Sequence, residues 1–262
     1  MSDEILTIEA RANVAWITLN RPKAGNALDI DLAEALEAAA RKCDEDPDIR
    51  AVVLTGTGSM FCAGGDLRSF AAAGSDVGPL LKRLTDALHA AIARFARMQA
   101  PVIAAVNGAA AGAGMSLACA ADLAIAAESA RFTMAYTAAG LSPDGSSTYF
   151  LPRLIGARRT KELMLTNRRL SADEALAWGL VSQVVPDAEL SDTVGKVATT
   201  LAAGPTQAFG TVKKLLMMSP LQDLEPQLAA EAAGIIDMAG TDDGQEGIAA
   251  FLAKRRPSFQ GK

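Results

Sequence analysis

Apolar positions in the first half of the chain fall into short, nearly continuous runs separated by stretches of helical period. The runs VAWITL (14 to 19), AVVLTG (51 to 56), APVIAAVNG (100 to 108) and DLAIAAE (122 to 128) predict strands of a sheet covered on both faces. Between them, DIDLAEALEAAARKCDED (29 to 46) and PLLKRLTDALHAAIARFARM (79 to 98) repeat their apolar residues at helical spacing. This alternation is the rhythm of an α/β fold. From about residue 157 the pattern turns almost wholly helical, through RRTKELMLTN, SADEALAWG, LSDTVGKVATTLAAG, TQAFGTVKKLLMM, LEPQLAAEAAGIIDMAG and DGQEGIAAFLAKRR. A β/α core followed by a helical C-terminal portion is expected, with no repeat at solenoid periods.

Composition narrows the function more than the fold. The chain has 262 residues, 50% hydrophobic and 21% charged, enough for one large core. A net charge of -5 without a basic cluster argues against a nucleic-acid partner. The N-terminal MSDEILTIEA has neither a basic region nor a long apolar one, so no export signal and no membrane span are expected. Cys43, Cys62 and Cys119 lack the paired spacing of a metal site and form an odd set, which points to reduced thiols, a cytoplasmic protein and no bound metal.

Two glycine-rich stretches, FCAGGDL (61 to 67) and GAAAGAGMSLA (108 to 118), each follow a predicted strand. Glycine lets a chain turn sharply and present backbone N–H groups to a ligand oxygen, and a following helix adds its positive end. Together the two loops suit an oxyanion hole. A dinucleotide site fits poorly, because Leu117 stands where the third glycine of GxGxxG belongs. A serine hydrolase also fits poorly: the single histidine, His89, precedes Ser116 instead of closing the triad order.

The segments NRPKAGNAL (20 to 28), FCAGGDL, PVIAAVNGAAAGAGMSLACAADLAIAAESARF (101 to 132), LPRLIGARRTKELMLTNRRLSADEALAWGLVSQVV (151 to 185) and EGIAAFLAKRRPSF (246 to 259) resemble, in order, the crotonase superfamily of enoyl-CoA hydratases and isomerases. The resemblance implies a crotonase fold of repeated ββα units in two sheets, with residues 1–200 as the core. It makes 201–262 a helical region that covers the pocket and assembles a homotrimer or a dimer of trimers. It further implies an acyl-CoA thioester substrate, with coenzyme A as part of that substrate and no separate cofactor. The oxyanion donors would be the amides of Gly65 and Ala113, and the acyl-CoA would lie near Lys23, Ala24, Ala63, Asp66 and Leu67. Lys23 reads equally as a solvated loop cation.

Hydratases of the superfamily carry two glutamates where this chain has Ser116 and Tyr136. Neither residue is an ionised base near neutrality, since the phenol titrates near ~10 and the serine hydroxyl is a far weaker acid. Asp144, in LSPDGSST (141 to 148), aligns with a catalytic aspartate, although Pro, Asp and Gly are also ordinary turn residues. The resemblance here is to phenylacetate-pathway isomerases and to chlorobenzoyl-CoA dehalogenases. In the former the aspartate moves a proton; in the latter it attacks a ring, and a histidine aligned with His89 activates water. Tyr136 aligns with an aromatic that hydrogen-bonds that aspartate. His89 also reads as an ordinary helix-surface residue, and Ser116 as a small packing residue or a hydrogen-bond donor. Gly65, Leu81 and Leu88 replace the dehalogenase aromatics, which favours an aliphatic or partly unsaturated acyl pocket. The favoured reading is double-bond isomerisation with Asp144 as acid and base. The alternatives are dehalogenase-like hydrolysis, an atypical hydratase and a catalytically weak acyl-CoA binding protein.

Overall fold

The computed structural model describes residues 4–262, so Met1–Asp3 of the N-terminal reading lie outside the described residues. The chain opens with β1 (Leu6–Arg11), β2 (Val14–Leu19) and α1 (Ile30–Glu45). Three rounds of one plan follow. In the first, β3 (Ala51–Gly56) and β4 (Met60–Cys62) lead into α2 (Leu67–Ala73) and α3 (Val77–Arg97). The second has β5 (Val102–Val106), β6 (Ala109–Ala111) and α4 (Ala113–Ala120), and the third β7 (Leu123–Ala127), β8 (Arg131–Thr133) and α5 (Ser147–Thr166). The chain ends with β9 (Leu170–Ser171), α6 (Ala172–Trp178), β10 (Gln183–Val185), α7 (Leu190–Ala202), α8 (Thr206–Met218), α9 (Leu224–Ala239) and α10 (Asp242–Leu252).

In every round the first strand joins one sheet and the second strand another. The larger sheet runs β1-β2-β3-β5-β7-β10, parallel except for the β1–β2 hairpin, and the smaller runs β4-β6-β8-β9. This is the expected ββα repeat in two sheets. Strand side chains alternate between faces. Val52, Leu54, Val102, Ala104 and Val106 therefore enter the main core with α1 and α3, while Ala51, Val53, Ile103 and Ala105 meet Leu190, Val194 and Ala198 of α7 on the other face. Burial on both faces explains why these strands lack a polar alternation.

Several boundaries differ from the sequence reading. The stretch after 157 is not wholly helical: β10 pairs with Ile125–Ala127 at the edge of the larger sheet, and β9 pairs with β8. Strands of two or three residues are too short to register a period, and their pairing partners decide them. β1 is a half-buried edge strand with exposed Glu9 and Arg11, so it too escapes a search for apolar runs. The helix expected from 79 begins at Val77, with the separate α2 before it. Within α5, Gly156 adopts φ 80° and ψ 155° and breaks the helix into two segments.

Candidate active site

The two glycine loops end β4 and β6, neighbours in the smaller sheet, so sheet pairing alone brings them together. Their approach is close. A Cβ on Gly64, whose φ is +94°, would lie 2.9 Å from the Ala111 carbonyl oxygen and 3.4 Å from the Ala113 nitrogen. Only glycine permits both that backbone angle and that contact. Leu28 braces the first loop, donating its N–H to Gly64 O at 2.7 Å and accepting from Asp66 N at 2.9 Å. The next amide along, Gly65, and the amide of Ala113 at the first turn of α4 have no acceptor among the described residues. Both residues line one cavity of about 240 Å³.

Asp144 lines the same cavity and is its sole carboxylate. It stands before two left-handed residues, Gly145 (φ +59°) and Ser146 (φ +68°), so the turn reading of this stretch holds. The turn also aims a carboxylate. Tyr136 donates its hydroxyl to Asp144 Oδ1 at 2.5 Å, and Ser116 Oγ lies 3.2 Å from the phenolic oxygen and donates to the Asp144 carbonyl at 3.1 Å. Ser147 Oγ donates to that carbonyl at 2.9 Å. Burial, then the Asp144 charge and their hydrogen bond, push the Tyr136 phenol well above its ordinary range, so it remains a neutral donor. Ser116 is fully buried, and a Cβ on Gly145 would meet the Ser116 Cβ at 2.9 Å. A side chain as long as glutamate at position 116 would collide with the loop that carries Asp144.

His89 approaches the carboxylate from α3, its Nε2 3.5 Å from Asp144 Oδ2 and 3.3 Å from the Gly145 nitrogen, which donates to it. The site thus combines two backbone donors with an aspartate held by Tyr136 at its carboxylate and by Ser116 and Ser147 at its carbonyl, with His89 beside it. Preorganised amides of this kind stabilise negative charge that develops on a carbonyl oxygen, and a carboxylate opposite them can take up a proton.

A family model described as enoyl-CoA hydratase/isomerase matches residues 9–262. The chain belongs to the enoyl-CoA hydratase/isomerase family. Among curated members, 1,2-epoxyphenylacetyl-CoA isomerase of Escherichia coli strain K12 is 39% identical over 99% of both chains. The 4-chlorobenzoyl coenzyme A dehalogenase-2 of an Arthrobacter species is 37% identical over 98% of this chain and 94% of its own. The solved structure of an enoyl-CoA hydratase from Bacillus anthracis superposes with a TM-score of 0.92 at 34% identity, covering 99% of this chain and all of that one, 100%. Membership of this family and the crotonase-type fold agree with the sequence reading.

Relative to the family expectations, Gly65, Ala113, Tyr136, Asp144, Ala63 and Leu67 converge on one cavity. His89 reaches it only through Asp144. Lys23 and Ala24 sit on an exposed turn outside the lining, tied to Ala63 by a hydrogen bond from its N–H to Gly25 O at 2.9 Å. Asp66 caps α2 through Arg68 N and pairs with Arg21 at 3.1 Å, so its carboxylate is engaged within the protein. Ser116 is both the packing residue and the hydrogen-bond donor anticipated. Phe70 was not anticipated: its ring packs onto Gly65, 2.7 Å from where a Cβ would stand, and faces the cavity with Tyr136. The wall therefore contains aromatics despite Leu81 and the other replacements. The available signal was an aromatic one helical turn into α2, directly after a glycine loop.

Proposed function

We propose that this chain is an enoyl-CoA isomerase: it acts on an acyl-CoA thioester and moves a double bond along the acyl group. Asp144 takes a proton from the carbon next to, or conjugated with, the thioester, and the electron pair moves onto the thioester oxygen. The Gly65 and Ala113 amides stabilise the resulting enolate or dienolate. Asp144 then returns the proton to another carbon of the conjugated system, so no atom is gained or lost. The observation that carries this reading is the sole carboxylate of the cavity standing in the same pocket as both amides. The neutral Tyr136 hydroxyl holds one oxygen of Asp144 and leaves the other for the proton. Hydration would need a second acid or base to position water, and Ser116 and Tyr136 supply neither. In deuterated water a competent enoyl-CoA should exchange protons as it isomerises. Asp144→Asn should lower turnover by about 10²–10⁴-fold. Full turnover and full deuterium incorporation in that variant would refute the mechanism.

A second reading rests on His89 lying 3.5 Å from Asp144 Oδ2. There Asp144 displaces halide from an aryl-CoA to form an aryl ester, and His89 activates the water that hydrolyses the ester. In a single turnover in heavy-oxygen water, that chemistry puts protein oxygen into the first product, whereas solvent oxygen alone excludes it.

Assembly as a homotrimer, or a dimer of such trimers, is part of the proposal. It is supported by exposed apolar residues on the C-terminal helices, among them Leu228, Ile235, Ile236, Phe251 and Leu252. A cytoplasmic setting is supported by three buried free thiols, of which Cys62 and Cys119 are pushed up to about 12 by burial. Among the described residues no helix is long and apolar enough to cross a membrane.

A further inference from the structure

A second cavity, of about 1000 Å³, lies on the far side of the Asp144 loop. Ile92, Ala93 and Ala96 of α3 line it, with Phe150 of α5, Met217 of α8 and Met238 of α9, so it is largely apolar. It shares no lining residue with the cavity that holds Gly65, Ala113 and Asp144. Both cavities nevertheless lie along one helix. Leu81, Leu84 and Thr85 of α3 line the reactive cavity, and His89, one turn beyond Thr85, lines the rear one. The division is thin. It consists of the His89 ring, with Nε2 3.5 Å from Asp144 Oδ2 and 3.3 Å from the Gly145 nitrogen, together with the turn 144–146, against which Ile92 packs. Asp144 faces one cavity and Ser146 the other.

We infer that His89 sets the depth of the acyl pocket and thereby restricts the enzyme to short or single-ring acyl groups, closing off a rear cavity that would take a long chain. This rests on the acyl-CoA reading given above. The reactive cavity, about 240 Å³, is far smaller than the rear one, about 1000 Å³, so a short acyl group suits the first and a long chain outgrows it. A chain that outgrows the reactive cavity and continues along α3 past Thr85 meets the His89 ring before it reaches Ile92. The imidazole accepts the Gly145 N–H at Nε2, so displacing it gives up that hydrogen bond. The rear cavity has the volume and the apolar lining for a longer chain. One side chain denies access.

Binding of the saturated thioesters hexanoyl-CoA and dodecanoyl-CoA, measured by calorimetry, tests this without requiring turnover. The native protein should bind hexanoyl-CoA at least about tenfold more tightly than dodecanoyl-CoA. His89→Ala should bring the two within about threefold by raising the dodecanoyl affinity. Met217→Trp added to His89→Ala narrows the rear cavity and should move the preference back toward the native one, while His89→Gln, which keeps a long polar side chain at the division, should keep the native binding preference. Circular dichroism of each variant checks that it is folded. Equal binding of both thioesters by the native protein, or a preference unchanged in folded His89→Ala, overturns the inference while leaving the acyl-CoA reading in place. Binding of neither thioester by native protein overturns that reading and the inference with it.

Discussion

The two sides of the reactive cavity are built from different parts of the polypeptide. On one side Gly65 and Ala113 offer backbone N–H groups, held by loops packed at the distance only glycine allows and braced by the smaller sheet. On the other, Asp144 is held by side chains from α4, α5 and the segment after β8, with His89 of α3 beside it. Backbone donors stay in place whatever side chain the residue carries, and only the fit of the loops can move them. An aspartate on a turn can be re-aimed by any neighbour that changes. On the proposed function, the backbone half supplies the charge stabilisation and the half carried by the turn sets which reaction is run. Ser116 shows the second half at work: its small size is what lets the Asp144 loop sit over α4.

The strongest test of this contrast is steric. Gly64→Ala places a methyl 2.9 Å from the Ala111 oxygen at a φ of +94°, so the loop must shift and carry the Gly65 amide with it. Turnover should fall by about 10²–10³-fold, the cost of one lost oxyanion donor, with the fold retained by circular dichroism. A near-native rate would show that the backbone side is not rigid. Next in size, Tyr136→Phe removes a hydrogen bond to an ionised group, worth about 1.5–3 kcal/mol, and should slow turnover by about ten- to a hundredfold. Steady-state kinetics should place the loss in kcat, with KM little changed. Ser116→Ala should cost less, about 1 kcal/mol of stability in chemical denaturation, because Ser147 still donates to the Asp144 carbonyl. A loss as large as that of Tyr136→Phe would mean that the serine, not the tyrosine, holds the loop.

The gentlest probe is alkaline pH. Burial first, then the Asp144 charge, raises the Tyr136 pKa in the folded protein, so folding keeps a proton that the unfolded chain releases at an ordinary phenol value near ~10. The stabilisation linked to this proton is fully present below that value and is lost as pH rises beyond it. Thermal unfolding of the native protein should therefore weaken above about pH 10 more steeply than that of Tyr136→Phe. Parallel curves would remove the electrostatic coupling between phenol and carboxylate from the account.

Much of this was legible along the chain. The apolar runs at 14–19, 51–56 and 122–128 mark strands because both faces of the larger sheet are covered, and the glycine loops after β4 and β6 stand out by residue type alone. Family resemblance located Gly65, Ala113, Asp144, Tyr136 and His89, and the first four line one cavity. What sequence could not supply were contacts between distant segments. β9 and β10 exist because β8 and β7 offer them edges; their own two or three residues carry no periodic signal. Phe70 reads as one aromatic in a short helix until its ring is seen to press on Gly65. His89 reads as a surface residue of an amphipathic helix, and only the meeting of α3 with a turn 56 residues later gives it a carboxylate neighbour and a place between two cavities. Residue type and local period determine which segments become strands, helices and tight turns, because those preferences act over a few residues. Where a side chain's reactive atom points, and what stands behind it, is decided by packing of elements far apart in the chain, which the tertiary structure alone contains.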